Sequence, residues 1–383
     1  MTENDMTKKL PVIFLILFSA LTAYGQDTLI CREKISLLFI GDIMGHDEQI
    51  RSAENTENGE FNYDEVFRYI SPVISDADVS IANFEVTLAG PPYKGYPQFS
   101  SPAALASACK NSGIDYVVTA NNHAADRGGA GIKGTINRLD SIGIPHTGTF
   151  LSSEAKDSLH PLIIKEKGFT LALLNYTYGT NGIKVAAPVI VNNLEMESVA
   201  SDIEKTKHLN TDFIILFLHW GTEYDTVPSA SQVAMAEYFF SRGANLIIGS
   251  HPHVLQKMIW FKDDSLFSGK AVVYSLGNFV SNQRKPKTDG GTMVRIDLEK
   301  RDSSVSISDA GYYLTWVYTP VINYRKEFLI LPCAEFENRP EFFEKPADYL
   351  QMKRFINSSR VLLNGQNKNI REYSFPDNKL NLN

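Results

Sequence analysis

Five stretches of this 383-residue chain obey one rule: a short apolar run is followed at once by Asp, Glu, Asn or His. They are LLFIGDIMGH with Asp42, VSIANFE with Asn83 and Glu85, YVVTANNH with Asn121, Asn122 and His123, IILFLHWGTEY with His219 and Glu223, and LIIGSHPH with His251 and His253. A short apolar run bounded by turn residues reads as a buried strand, and in sheet-based domains ligands gather where such strands end. The repetition predicts one shared site at several strand ends. Its donors are oxygen and imidazole with no thiolate, which suits one or two divalent ions of Mn, Fe, Zn or Mg and not an iron–sulfur cluster.

From Ile35 onward, strand-like runs alternate with helical ones, which is the pattern of an α/β fold. Pro102 and Gly113 bracket a helix over Ala103 to Asn111; further helices are expected from about Gly131 to Ser141, Leu194 to His208 and Ser229 to Arg242. After Gly269 the runs KAVVYSLGNFV, TMVRIDLE, SVSISDAGYYLTWVYT and EFLILP turn the chain to β structure. A last helix is expected from about Pro346 to Leu363, followed by a polar segment read as a loose tail.

Composition narrows the partners. The net charge of -7 and pI near 5.7 argue against nucleic acid, since a duplex binder needs a basic face. Lys8 and Lys9, the apolar run Leu10 to Leu21 and the small residues Ala23 and Gly25 read as a signal peptide over 1–25, with the mature chain starting at Gln26 and a segment 26–34 before the first strand. That places the protein outside the cytoplasm, in the periplasm or at the cell surface. The alternative is an uncleaved anchor, for which the run is short of the ~20 residues that span a bilayer. Cys31, Cys109 and Cys333 allow at most one disulfide, and Cys109 reads as a small core residue.

Each candidate has a plain structural reading beside the chemical one. Gly41-Asp42 is a common turn, yet the carboxylate of Asp42 is placed to face a cleft. Glu85 follows a buried strand and needs a partner, either an ion or a lysine such as Lys94. Asn122 offers an amide oxygen and His123 a proton, while Asp126, three residues on, can orient that imidazole or cap the next helix. Pro252 is expected to hold His251 and His253 in an extended segment with both rings on one side. Glu223 orients a ligand or is a surface charge. Lys94 is a candidate for a substrate carboxylate or an ordinary loop lysine, and Asn278, beside Gly277, is expected at the cleft rim.

Taken in order, GDIM, NFE, ANNHAAD, HWGTEY, GSHPHV and YSLGNF resemble the CapA family, proteins associated with capsule and poly-γ-glutamate synthesis. Its fold is similar to that of calcineurin-like metallophosphoesterases. The likeness runs from Ile35 to about Val280 and more weakly to about Pro332. It implies an α/β fold of layered β-sheets flanked by helices over 35–335, with a β-rich C-terminal part, then a terminal helix and polar tail over 336–383. It implies that Asp42 and His253 hold a first metal, His219 and His251 a second, that Glu85 bridges them, that Asn122 is a ligand and that His123 protonates a leaving group. The sequence departs from the phosphoesterase pattern at Met44, where an imidazole is expected, and His46 is two residues too far along to replace it simply. The implied function is metal-dependent hydrolysis or transfer on an anionic or peptide-like envelope polymer, alongside capsule synthesis and export machinery. The alternative is a non-catalytic polymer-binding or export and assembly factor on a degenerate scaffold.

Overall fold

Buried strands that are apolar on both faces need a layer on each side, and that requirement sets the architecture. In the computed structural model, which describes residues 32–302 and 304–374, two large sheets pack against each other with helices on their outer faces. The strand Arg32–Ile43 shows the logic. Leu37 and Phe39 enter a core shared with the second sheet, whereas Leu38 and Ile40 point the other way, into an apolar cluster with helical residues such as Leu105 and Cys109. In the second sheet, Phe213, Ile215 and Phe217 face the shared core, and Ile214, Leu216 and Leu218 face helices Met196–Lys207 and Ala230–Arg242. The layered α/β expectation is met.

The first sheet runs in the order Leu329–Pro332, Ser304–Tyr318, Gly290–Arg301, Arg32–Ile43, Val79–Phe84, Tyr116–Val118 and His146–Thr147. Its last four strands are parallel, so their carboxyl ends share one edge. The second sheet runs Met258–Phe261, Lys270–Val273, Leu246–Ser250, Phe213–His219, Phe169–Thr177 and Leu162–Glu166, with a parallel centre. The expected helices form within a few residues of their predicted ends, and Gly143 and Gly243 close two of them at positive φ.

Three boundaries differ from expectation. The first strand begins at Arg32, inside the segment read as preceding the domain. Helix Pro346–Gln366 buries Met352, Phe355, Ile356 and Leu363 in the inter-sheet core, so it is part of the same unit. Residues just beyond it are not loose: Arg371–Glu372 pairs with Ser304–Tyr318, and the Lys368 N–H donates to the Met258 carbonyl at 3.0 Å. The signal-peptide reading and Cys31 lie outside the described residues, as does the chain after 374; Cys109 and Cys333 are free and buried.

Candidate metal centre

A β-bulge aims the first acid. Phe39 pairs with Ile81 and Ile40 with Ala82, but the register then shifts and Asp42 pairs with Asn83. Were Gly41 paired in regular register opposite Asn83, Asp42 would lie opposite Phe84 and point toward the outer helices. With the shift, Asp42 joins Asn83 on the inner face, the line continued from Phe39 and Ile81. Gly41 also lies against Gly277, which brings Asn278 beside Asp42 in parallel register.

Across the gap, the inner-face stripes of the second sheet end in the same manner: Phe217 gives way to His219 and Ile248 to Ser250, and these two ends are paired. His251 and His253 follow. Their segment is not extended as expected. Both residues have positive φ, 100° and 58°, and the tight turn instead brings both rings toward the first sheet. Such backbone is rare for residues with side chains and collects at functional sites.

The polar contacts form one network. Asn83 Nδ2 donates to Asp42 Oδ1 at 2.8 Å and to Glu85 Oε2 at 3.2 Å, so a single amide clamps both acids. His253 Nδ1 lies 3.0 Å from Asp42 Oδ2 and 3.0 Å from Asn278 Oδ1. Because Asn278 Nδ2 donates to the Thr288 carbonyl, its Oδ1 must accept; both neighbours of Nδ1 are acceptors, which assigns the proton to Nδ1 and leaves the lone pair on Nε2. That nitrogen is 3.8 Å from Glu85 Oε1, and His219 Nε2 is 3.6 Å from the same oxygen. His219 Nε2 also meets Asn122 Oδ1 at 2.8 Å, while its Nδ1 meets Ser250 Oγ at 3.0 Å.

These donors fit a divalent ion. Glu85 Oε1 and His251 Nδ1 are buried without a hydrogen-bond partner. Separations of 3.6 and 3.8 Å are too long for hydrogen bonds but close to the roughly 3–3.5 Å between two ligands of one ion bonded near 2.1 Å. Two triads, Asp42 with Glu85 and His219, and Glu85 with His251 and His253, each gather three ligand atoms within 4.8 Å, and Glu85 belongs to both. This sorting pairs Asp42 with His219 and the two later histidines with each other, unlike the division the resemblance implied.

The electrostatics agree. Burial, then the charge of Asp42, raises the Glu85 carboxyl well above its usual range. Burial, then neighbouring imidazoles, lowers His219, and His251 falls to about 3 through burial and then His253. Among the described residues no Lys or Arg forms an ion pair with either acid. Neutral imidazoles beside crowded acids form a donor set that a divalent cation would stabilise.

This makes a pH prediction for metal-free protein. A depressed histidine pKa stabilises the fold above the unfolded value near 6.5, and that stability is lost as pH falls toward the folded value. Between pH 8 and pH 5, His251 should therefore remove about 2 kcal/mol of folding stability. Glu85, shifted upward, acts in the opposite sense, so the comparison to make is wild type against His251→Gln by urea unfolding. Parallel pH slopes in the two proteins would refute the assignment.

Other expected site residues sort clearly. His123 Nδ1 contacts Asp126 Oδ2 at 2.8 Å, and that oxygen also accepts the Phe99 N–H at 2.7 Å, so Asp126 orients the imidazole and makes no helix cap. His123, Asp126, Asn122 and Glu223 line a cavity of about 430 Å³. Glu223 is exposed at its edge. Lys94 is exposed on its loop, does not line this cavity and does not pair with Glu85. Asn278 is fully buried and positions His253, so it is not a substrate contact at the rim. Met44 packs among Ile43, Phe84 and Phe279 in the outer apolar cluster, and His46 lies against Phe99 and belongs to neither triad.

Several contributors escaped the sequence reading. Asn83 ends a buried strand, but nothing local in the sequence marks its amide as the clamp between Asp42 and Glu85. Asn175 Oδ1 accepts the Ala120 N–H at 2.6 Å, and its Nδ2 donates to the Phe217 carbonyl at 2.9 Å, tying the loop that carries Asn122 to the second sheet. Tyr178 stacks on His219 at an interplanar angle of 8°, and Asn122 Nδ2 donates to Asn181. The signal was present: LALLNYTYGTN, spanning these residues, has the same apolar-then-polar grammar as the five stretches.

Comparison with known proteins gives the lineage. The chain is 30% identical over 290 residues to "Capsule biosynthesis protein CapA" of Bacillus anthracis, covering 72% of this chain and 66% of that protein. It is 28% identical over 322 residues to "PGA biosynthesis protein CapA" of Bacillus subtilis (strain 168), 78% of each. Among solved structures, the calcineurin-like phosphoesterase YfkN from Bacillus subtilis superposes with a TM-score of 0.45 at 14% identity, covering 87% of this chain and 99% of that one. A family model described as "Bacterial capsule synthesis protein PGA_cap" matches residues 36–283, the span that carries every ligand described above. The chain belongs to that capsule synthesis family.

Proposed function

We propose that this chain is an extracytoplasmic, metal-dependent hydrolase or transferase of capsule biosynthesis, acting on an anionic or peptide-like envelope polymer such as poly-γ-glutamate, or on its intermediates, beside the synthesis and export machinery. The observation that carries the reading is the pair of triads sharing Glu85, with the His123–Asp126 dyad on the adjoining cavity. Asp42, Glu85, His219, His251 and His253 would hold the ion or ions, with Asn122 at the edge. When bound, a divalent cation supplies Lewis-acid polarisation of a phosphoryl or carbonyl oxygen. The side chains do the rest. Asp126 accepts a hydrogen bond from His123 Nδ1–H and holds the ring in place, so that Nε2 can deliver a proton to the leaving group. Asn83 keeps the two acids apart at fixed separation, and Asn278 keeps His253 in one tautomer.

The burial of Met44 in an apolar cluster favours the second reading, a polymer-binding assembly factor, because the first strand then contributes one ligand fewer. One experiment separates them: metal content and turnover of γ-linked glutamyl polymer and a phosphoester panel, for wild type, His251→Ala and His123→Ala. Catalysis predicts that His251→Ala loses metal and turnover together. His123→Ala should keep its metal and lose about 10²–10⁴-fold in kcat, less for substrates with good leaving groups. Metal-loaded wild type inert on every substrate would leave the assembly reading.

A further inference from the structure

Beside the metal centre lies a pocket with the opposite electrostatic character. The loop 281–289 and helix Pro346–Gln366 enclose about 340 Å³, lined by Arg284, Lys285, Lys287 and Arg354 and by a single acid, Asp289. That acid is already engaged: its Oδ2 accepts from Trp316 Nε1 at 2.9 Å and from Gln351 Nε2 at 3.0 Å. Among the described residues none of the four cations has a salt-bridge partner. Arg284 lies beneath the others. Its Nη1 donates to the Val317 carbonyl at 2.9 Å, while Nε and Nη2 are buried without partners.

Four like charges around one cavity repel each other, and the guanidinium of Arg284, although Asp289 and Asp348 act on it from a distance, has no carboxylate hydrogen-bonded to its two buried nitrogens, which is costly. In a chain of net charge -7, packing does not explain why they are gathered here. We propose that this pocket is a second binding site, for an oxyanion of the carboxylate or phosphate class carried on a short carbon chain. Lys287 and Arg354 are exposed and able to contact the oxygens directly, and Arg284 adds charge from below. Pro286 and Phe355 supply apolar wall for the carbon chain.

The position links the pocket to the centre already described. Lys285 Nζ lies 4.1 Å from the centroid of the Tyr224 ring, which stands near His253. Asn278, which holds His253, donates to Gln283 Oε1 at 3.0 Å and to the Thr288 carbonyl at 2.8 Å, so the loop of the pocket hangs from the metal ligand's own support.

The test uses full-length protein stripped of metal on a chelating resin, so that its outcome does not depend on the hydrolase reading. Glutarate and inorganic phosphate are titrated separately by calorimetry at low ionic strength. At least one should bind saturably and weaken with added salt, and which one binds identifies carboxylate or phosphate as the source. The double variant Lys287→Ala/Arg354→Ala, altered at exposed positions only, should weaken that binding about tenfold with its unfolding midpoint unchanged. Absence of saturable binding for both probes, or equal affinity in wild type and double variant, overturns the proposal.

Discussion

Replacing Glu85 with glutamine should empty both triads at once. Its carboxylate is the one group common to Asp42 with His219 and to His251 with His253, and the amide keeps the shape while removing the charge. Metal affinity should fall at least about 100-fold, beyond the 10–100-fold typical of losing a supporting contact. The stability change carries more information than the loss itself. Wild type saturated at about 1,000 times Kd gains about 4 kcal/mol from the ion, and the variant should lack that gain. Without metal the order should reverse or level. The raised pKa means that an ionised Glu85 is unfavourable in the fold, so stability is fully present below the unfolded carboxyl value and is lost as pH rises through the folded one. At pH 8 the metal-free Glu85→Gln protein should therefore be as stable as wild type or more so. If Glu85 were a structural partner of His219 and His253, the variant would be destabilised to the same extent with and without metal, and thermal unfolding under both conditions distinguishes the two.

Gly41→Ala should be severely damaging although it removes no ligand. A Cβ at this position would lie 2.1 Å from the Gly277 carbonyl oxygen, which is backbone and cannot swing aside as a side chain would. The two strands must separate, and with them Asp42 and Asn278, which stand in register there. The cost should be about 3 kcal/mol or more, in the range of severe overpacking, and metal binding should weaken because the bulge that aims Asp42 is disturbed. Chemical denaturation and metal titration of the same variant check both effects. A loss below about 0.5 kcal/mol would mean that the strands relax freely at this point.

Much of this was legible because a strand with both faces buried announces itself by its residues, and the residue that ends it is then placed by the sheet. Asp42, Glu85, Asn122, His219, His251 and His253 all stand at such ends. Direction was harder to read. Simple alternation sends Asp42 toward the helices, and only the register shift at Gly41 turns it inward. The extended geometry expected around Pro252 fails because proline restrains the residue before it but does not forbid a left-handed turn stabilised by its surroundings, as the positive φ of His251 and His253 shows. Asn278 looked like rim because its neighbour is a glycine turn, yet pairing across to Asp42 buries it. Lys94 shows the reverse limit, since nothing local distinguishes a loop lysine that reaches a site from one that does not.

The line along which the two sheets meet changes character from one end to the other. For most of its length Phe39, Ile81, Phe217 and Ile248 touch through contacts without direction, which tolerate small sliding. At the carboxyl edge the same stripes give way to polar contacts that cross from one sheet's end to the other's, His253 Nδ1 with Asp42 Oδ2 at 3.0 Å and His219 Nε2 with Asn122 Oδ1 at 2.8 Å, and such contacts fail if displaced by an ångström. The sandwich thus has a pinned end and a compliant end. Any shear between its layers must pivot about the pinned one, which keeps the ligand geometry still while the rest of the molecule gives.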